Sequence, residues 1–141
     1  AGPRFSRDIE TEHIAWTKDG WESALSGIHI GLAPLPDDRW TRGKCGLKLL
    51  QTYAVGRPVV ASPVGVQGVQ VTGGETGFLA EVVDAFAHAL FALATDGDRR
   101  RDMGRLAFSN VRARWSVEAW APHVVREMQA LLEGQRSAEA A

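Results

Sequence analysis

Residues 43–62, GKCGLKLLQTYAVGRPVVAS, constrain the fold more tightly than any other part of the chain. Gly43 and Gly46 bracket a basic turn that leads into a run with helically spaced apolar residues. The Gly56-Arg57-Pro58 turn stops that run, and a short apolar strand follows at once. A helix passing directly into a buried strand is one half of a β-α-β crossover, which implies a parallel sheet with right-handed connections. The same segment carries a chemical hint. The first backbone N–H groups of a helix have no partner inside it, and the aligned peptide dipoles favour negative charge there. With Lys44 and Lys48 flanking that helix start, a diphosphate is the natural guest.

The rest of the chain fits around this unit. Residues 9–16 (IETEHIAW) alternate as a strand and end in a polar turn at 17–20. Trp21, Ala24 and Leu25 suggest a short helix stopped by Gly27. Residues 28–33 (IHIGLA) read as a second strand, apolar enough to be covered on both faces. Residues 34–42 hold two prolines and a charge cluster and read as loop. A helix over 46–55 and a strand over 58–61 follow. The Gly- and Val-rich stretch 63–77 is expected to hold a short strand near 69–71 and a turn at Gly73-Gly74, with another brief strand at 78–79. Beyond it, Asp84 is expected to cap a helix over 84–95 with Phe86, Leu90 and Leu93 on one stripe. Asp98 is expected to cap a second over 98–112 that carries Met103 and Leu106 inward. Ser116 is expected to cap the last, with Trp120, Val124, Met128, Leu131 and Leu132 along one face. Pro122 interrupts that last helix, so a kink or restart is expected there.

The fold class is therefore α/β: a parallel sheet flanked by helices, with a helical C-terminal tail. Residues 1–141 form a single, partial domain, divided into a lead-in (1–8), an α/β portion (9–80), a helical tail (81–133) and a frayed end (134–141). There are no internal repeats. Sixteen basic against seventeen acidic side chains give a net charge of −1, so no global basic field argues for nucleic acid or an anionic membrane. The single cysteine, Cys45, excludes an internal disulfide and fits a reducing cytoplasm. No apolar run approaches the ~20 residues that span a bilayer, and no signal peptide is visible. The opening Ala1 and the tail RSAEAA suggest a piece of a longer protein.

In open parallel sheets ligands bind beyond the carboxyl ends of the strands. The loops after residues 16, 33 and 62 should therefore border a site. At roughly 100° per residue, Lys48, Gln51 and Val55 share one stripe of the 46–55 helix, and Lys44 joins it if the helical path extends back. Leu47, Leu50 and Ala54 lie beside that stripe, making a mostly buried helix with one polar seam. Such a seam suits an anionic, hydroxyl-bearing ligand, or else its lysines are ordinary solvated residues. Asp37-Asp38 reads as a surface turn rather than a metal pair, and Arg99-Arg100-Arg101 as a solvated helix face. Cys45 sits near a helix start, where a thiol can be reactive, and His13, His29, His88 and His123 lack metal-ligand spacing. Trp115 and Trp120 are expected to staple the final helix, whereas Trp16 and Trp40 sit in candidate site loops and could stack on a sugar.

The run 28–80 resembles the retaining nucleotide-sugar glycosyltransferases of group 1, or family 4, which have the GT-B fold. Their pattern is close to Glu-x-Phe-Gly-x-x-x-x-Glu-Ala-x-Ala-x-Gly-x-Pro-Val-Val-Ala. The matching residues here are Gly43, Cys45, Gly46, Gln51, Thr52, Ala54, Gly56, Pro58, Val59, Val60 and Ala61, and GETGFLA at 74–80 resembles a second family segment. The resemblance implies the C-terminal, Rossmann-like half of a GT-B fold, which binds the donor of a hexosyltransferase-type reaction. It implies donor contacts at Gly43, Lys44, Cys45, Gly46, Leu47, Lys48 and Gln51. Phosphate oxygens would meet the Gly46-Leu47 backbone, ribose hydroxyls position 51, and the transferred sugar position 43. Ala15, Trp16 and Thr17 would border the base. No metal or other cofactor is expected beyond the nucleotide diphosphate sugar itself, and no catalytic residue is assigned. The acceptor-binding N-terminal domain would be a missing partner, as would the opening strand of this domain with its basic contacts, so the fragment alone should transfer no sugar. The final helix of such enzymes crosses towards the N-terminal domain. Both family glutamates are replaced here, by Gly43 and Gln51, which leaves a non-catalytic α/β nucleotide-binding or assembly module as the rival reading.

Overall fold

The structure, a computed structural model, describes residues 10–15 and 17–139, with side chains as far as residue 133. Its centre is a parallel sheet of three strands in the order β1 (Gly31–Ala33), β2 (Val59–Ala61), β3 (Gly77–Leu79). The register pairs Leu32 with Val60 and Val60 with Phe78. The middle strand is buried throughout and alternates between two cores, as the two-residue period of a strand requires. Val59 and Ala61 face Leu49, Tyr53, Val71, Ala107 and Val111. Val60 faces Ala80, Leu93 and Met103, with Phe78, Phe86 and Leu90 packed around them.

The helices are α1 (Trp21–Ser26), α2 (Arg39–Arg42), α3 (Leu47–Ala54), α4 (Gln67–Gln70), α5 (Val83–Thr95), α6 (Gly97–Arg114) and α7 (Val117–Glu139). Helices α3 and α6 pack on the first core, and α5 covers the second. Tyr53 anchors α3: it is fully buried, and its hydroxyl lies 3.0 Å from Thr76 Oγ1. Burial pushes the phenol up to about 12, outweighing the opposing pull of that hydrogen bond. Where α3 ends, α6 approaches so closely that a Cβ on Gly104 would sit 2.2 Å from the carbonyl oxygen of Gly56. Only glycine permits that crossing.

Several expectations from the sequence need correction. Residues 10–15 form no strand, while Ile9 and Trp16, like the lead-in 1–8, lie outside the described residues. The strand expected over 28–33 contracts to β1, and Leu32 is half exposed, so the sheet is not covered on both faces there. Residues 34–42 are not all loop: Asp38 and Thr41 form a reciprocal capping box that starts α2. The expected strand near 69–71 is instead α4 leading into an extended Val71. There the valines misled, because the buried positions are Gln67 and Gln70, three apart, and Val69 points outward.

In the helical tail, Asp84 lies inside α5, whose N-cap is Val82 without a side-chain bond. Asp96, not Asp98, caps α6 by accepting the Arg99 N–H at 2.9 Å. Leu106 is half exposed, and α6 buries Met103, Gly104, Ala107 and Val111 instead. The three arginines are more than a solvated face. Arg99 lies over the Phe78 ring, Arg101 pairs with Asp98, and Arg100 donates to the carbonyls of Leu93 and Ala94 near the end of α5. Ser116 does cap α7, accepting the Ala119 N–H at 3.2 Å. That helix runs through Pro122 without restarting and continues to Glu139, so residues 134–139 are helical rather than frayed, and residues 140–141 lie outside the described set. Along it Val117, Trp120, Val124, Val125, Met128, Leu131 and Leu132 are all at least half exposed. Trp115 packs against the first core, and the Trp120 ring N–H donates to the Arg114 carbonyl, tying the turn between α6 and α7.

Candidate functional site

The N-terminus of α3 opens on a cavity of about 750 Å³ at the carboxyl edge of the sheet. Its walls include all seven donor residues expected from the sequence: Gly43, Lys44, Cys45, Gly46, Leu47, Lys48 and Gln51. Local chemistry fixes this edge. Gly46 sits in the left-handed region at φ 67° and gives α3 no side-chain cap. Its carbonyl accepts from the Leu49 N–H at 3.0 Å, while the N–H groups of Gly46, Leu47 and Lys48 bond to no other described residue. The turn is held from beneath by Gln70, whose Nε2 donates to the Cys45 carbonyl at 3.1 Å. A Cβ on Gly46 would lie 2.1 Å from Gln70 Oε1, so dihedral and space both demand glycine here.

The charge at this end is basic and solvent-facing. Lys44 and Lys48 are exposed on the cavity wall. Lys44 precedes the left-handed Gly46 and therefore does not lie on the helical path of α3. Nor is the helix buried where its seam suggested. Leu49, Thr52 and Tyr53 form the inward stripe, whereas Leu47 is more than half exposed at the cavity. The opposite wall comes from Pro34 and Leu35, tied down where the Leu35 N–H donates to Ser62 Oγ at 2.9 Å. The loops after β1 and β2 thus border the cavity as the parallel-sheet rule requires.

A second cavity of about 410 Å³ adjoins the first, sharing Leu32, Lys48 and Gln51. Its lining is largely apolar and includes Ala15, Trp21, Leu25, Ile28 and Ile30. Of the expected base-binding residues, Ala15 lines this cavity and Trp16 lies outside the described residues. The carbonyl of Thr17 accepts from Gly20 and Trp21 in the turn that opens α1.

The other candidates have structural work. Asp37 pairs with Arg42, which holds its carboxyl below the usual range, and the Thr41 hydrogen bonds do the same for the capping Asp38. The described residues contain no cluster of three metal-ligating side chains. Cys45 is exposed as a free thiol, and His13, His29, His88 and His123 are all exposed. Trp40 stands 80% exposed on α2. Sequence reasoning missed Gln67, which lines the main cavity from α4. The i, i+3 spacing of Gln67 and Gln70 within a Gly- and Val-rich stretch was the available signal.

Comparison with known proteins identifies the family and the fold. The family model described as "Glycosyl transferases group 1" matches residues 8–96. A D-inositol 3-phosphate glycosyltransferase from Kribbella flavida is 43% identical over 77 residues, which is 52% of this chain and 18% of that protein. Among solved structures, a sucrose-phosphate synthase from Thermosynechococcus elongatus superposes with a TM-score of 0.71 at 26% identity, covering 79% of this chain and 27% of that one. The C-terminal domain of a group 1 family glycosyl transferase (LpcC) from Francisella tularensis shares the fold, with a TM-score of 0.61 at 20% identity over 76% of this chain and 53% of that one. The chain thus spans about a fifth to a half of the length of these relatives. No described helix is long and apolar enough to cross a membrane.

Proposed function

The chain belongs to the group 1 glycosyl transferases, and from that membership we propose that it is the donor-binding portion of a retaining, hexosyltransferase-type enzyme. That enzyme would move a sugar from a nucleotide diphosphate sugar to an acceptor. The observation that carries this reading is the start of α3, where three N–H groups without a partner among the described residues share one cavity wall with two lysines. Backbone donors at a helix start and flanking ammonium groups are complementary to a diphosphate. They also stabilise the charge that grows on the diphosphate as the bond to the sugar breaks, so lysines and peptide dipoles rather than a metal ion fill that role.

The two adjoining cavities give the ligand a direction. The diphosphate sits against Gly46, Leu47 and Lys48, with Lys44 and Cys45 beside it, and the ribose hydroxyls meet Gln51 where the cavities join. The base enters the apolar cavity beside Ala15, and the transferred sugar extends towards Gly43. Gln51 is neutral, so its bonds to ribose are roughly half as strong as a carboxylate would make. The acceptor is held by an N-terminal domain of the same protein, in the cytoplasm, and the exposed apolar residues of α7 face that domain. Because transfer requires donor and acceptor held together, the 141-residue chain alone turns over no sugar.

Calorimetric titration of the chain with UDP, GDP and ADP tests this. One of them should bind saturably, and Lys48→Ala should weaken it about tenfold, the size of one charge-assisted hydrogen bond. The glycine at 43 and the amide at 51 favour a second reading, an assembly module with a degenerate site. In that case Lys44→Ala and Lys48→Ala would leave partner binding intact, and no nucleotide would bind.

A further inference from the structure

Among the described residues lining the main cavity, Gln67 is the one whose side chain carries a buried polar atom without a partner. Gln67 is only 5% exposed, it lines the cavity, and its Oε1 has no hydrogen-bond partner. A buried amide oxygen without a partner lowers stability, whereas an apolar side chain of similar shape would not. Its neighbour Gln70, three residues on, also has an Oε1 without a partner, but its Nε2 is used inside the scaffold, donating to the Cys45 carbonyl, and it does not line the cavity. The backbone leading to Gln67 is pressed against the start of the site. A Cβ built on Gly65 would fall 2.6 Å from the carbonyl oxygen of Arg42, which places α4 beside the Arg42-Gly43 peptide. Gly43 brings no side chain to that end of the cavity.

We propose that Gln67 is a specificity-determining residue whose amide hydrogen-bonds a hydroxyl of the glycosyl group carried by the donor. The inference rests on the donor-site reading above and deepens it. The torsion that orients a glutamine amide is soft and roughly two-fold, so a small rotation turns either end of the group to the cavity. A hydroxyl both donates and accepts and is therefore matched by either end, whereas a phosphate oxygen is repelled by the amide oxygen. Lys44, Lys48 and the α3 backbone hold the diphosphate, and Gln67 reads what is attached to it.

Gln67→Met tests this, since it keeps length and flexibility and removes the amide. UDP, GDP and ADP, each with and without an attached hexose, are titrated into wild-type, Gln67→Met and Lys48→Ala chains. The proposal expects Gln67→Met to bind the preferred bare diphosphate as wild type does and its sugar conjugate about five- to tenfold more weakly, the loss of one neutral hydrogen bond. It also expects an unchanged or higher thermal midpoint, because the unpartnered amide has gone. Gln67→Asn, with a shorter amide, should recover part of the conjugate affinity. Three results overturn the proposal. Equal binding of the conjugate by wild type and Gln67→Met means that the amide is merely hydrated. Equal weakening of diphosphate and conjugate means that it meets phosphate. A fall in thermal midpoint with affinities unchanged means that it is structural. In each of these Lys48→Ala still weakens the diphosphate, so the donor-site reading stands. No saturable binding of any nucleotide by wild type overturns both.

Discussion

The two ends of α3 were built from the same eight-residue helix and have opposite fates. Its C-terminal end is closed. Tyr53 is fully buried and bonded to Thr76, and α6 crosses so near that residue 104 has no room for a methyl group. Its N-terminal end is open, with a left-handed glycine, three N–H groups that no described residue engages, exposed lysines and a cavity of about 750 Å³. The closed end holds the helix rigid, so that the open end can present fixed dipoles without paying for reorganisation when a ligand arrives. Rigidity and vacancy are thus properties of one element, about 12 Å apart along a helix of this length.

If that division is right, substitutions at the two ends should differ in kind. The largest effect is expected from Gly104→Ala at the closed end. Backbone meets the new methyl group at 2.2 Å, so α6 must shift, and overpacking of this sort costs about 3 kcal/mol. Urea unfolding should record that loss, while the fraction still folded binds diphosphate as before. A smaller loss, about 2 kcal/mol, is expected from Gly46→Ala, which combines a left-handed dihedral with displacement of the Gln70 amide, the far end of a side chain rather than backbone. Here calorimetry should show diphosphate affinity falling together with stability. Equal loss of affinity in both variants would erase the distinction between the ends.

Tyr53→Phe should give the smallest change, about 1 kcal/mol at neutral pH, for one buried hydrogen bond. It sharpens the comparison through pH. The phenol titrates near 10 when unfolded and about 12 when folded, so the folded state holds its proton longer. Stability from this group is intact below pH 10 and is lost as pH rises towards about 12. The phenylalanine variant should lack that alkaline decline in thermal midpoint relative to wild type.

Much of this architecture was legible in residues 43–62, because glycine, helical spacing and a Gly-x-Pro turn are strong local signals. The helix and the strand after it followed from that run, whereas the seven residues now found around one cavity were named from the family resemblance. What was missed depended on partners distant in sequence. Nothing near Val69 announces that Gln70 will hold the Cys45 carbonyl, so the valines read as a strand. Asp96 outcompeted Asp98 as a cap by two residues, a margin that pattern alone does not resolve. The capping box at Asp38 and Thr41 was visible in principle, but two prolines and a charge cluster obscured it. The apolar stripe of α7 was read correctly as a stripe, yet its exposure could only be seen once the other helices were in place.

The central claim is that the open start of α3 receives the diphosphate. Proton–nitrogen correlation spectra of the isotopically labelled chain, recorded during titration with the preferred nucleoside diphosphate, test it most directly. The account predicts that the amides of Gly46, Leu47 and Lys48 shift furthest, followed by Gln51, while Tyr53 and Gly104 at the closed end barely move. Largest shifts along α7, or at the closed end of α3, would contradict it.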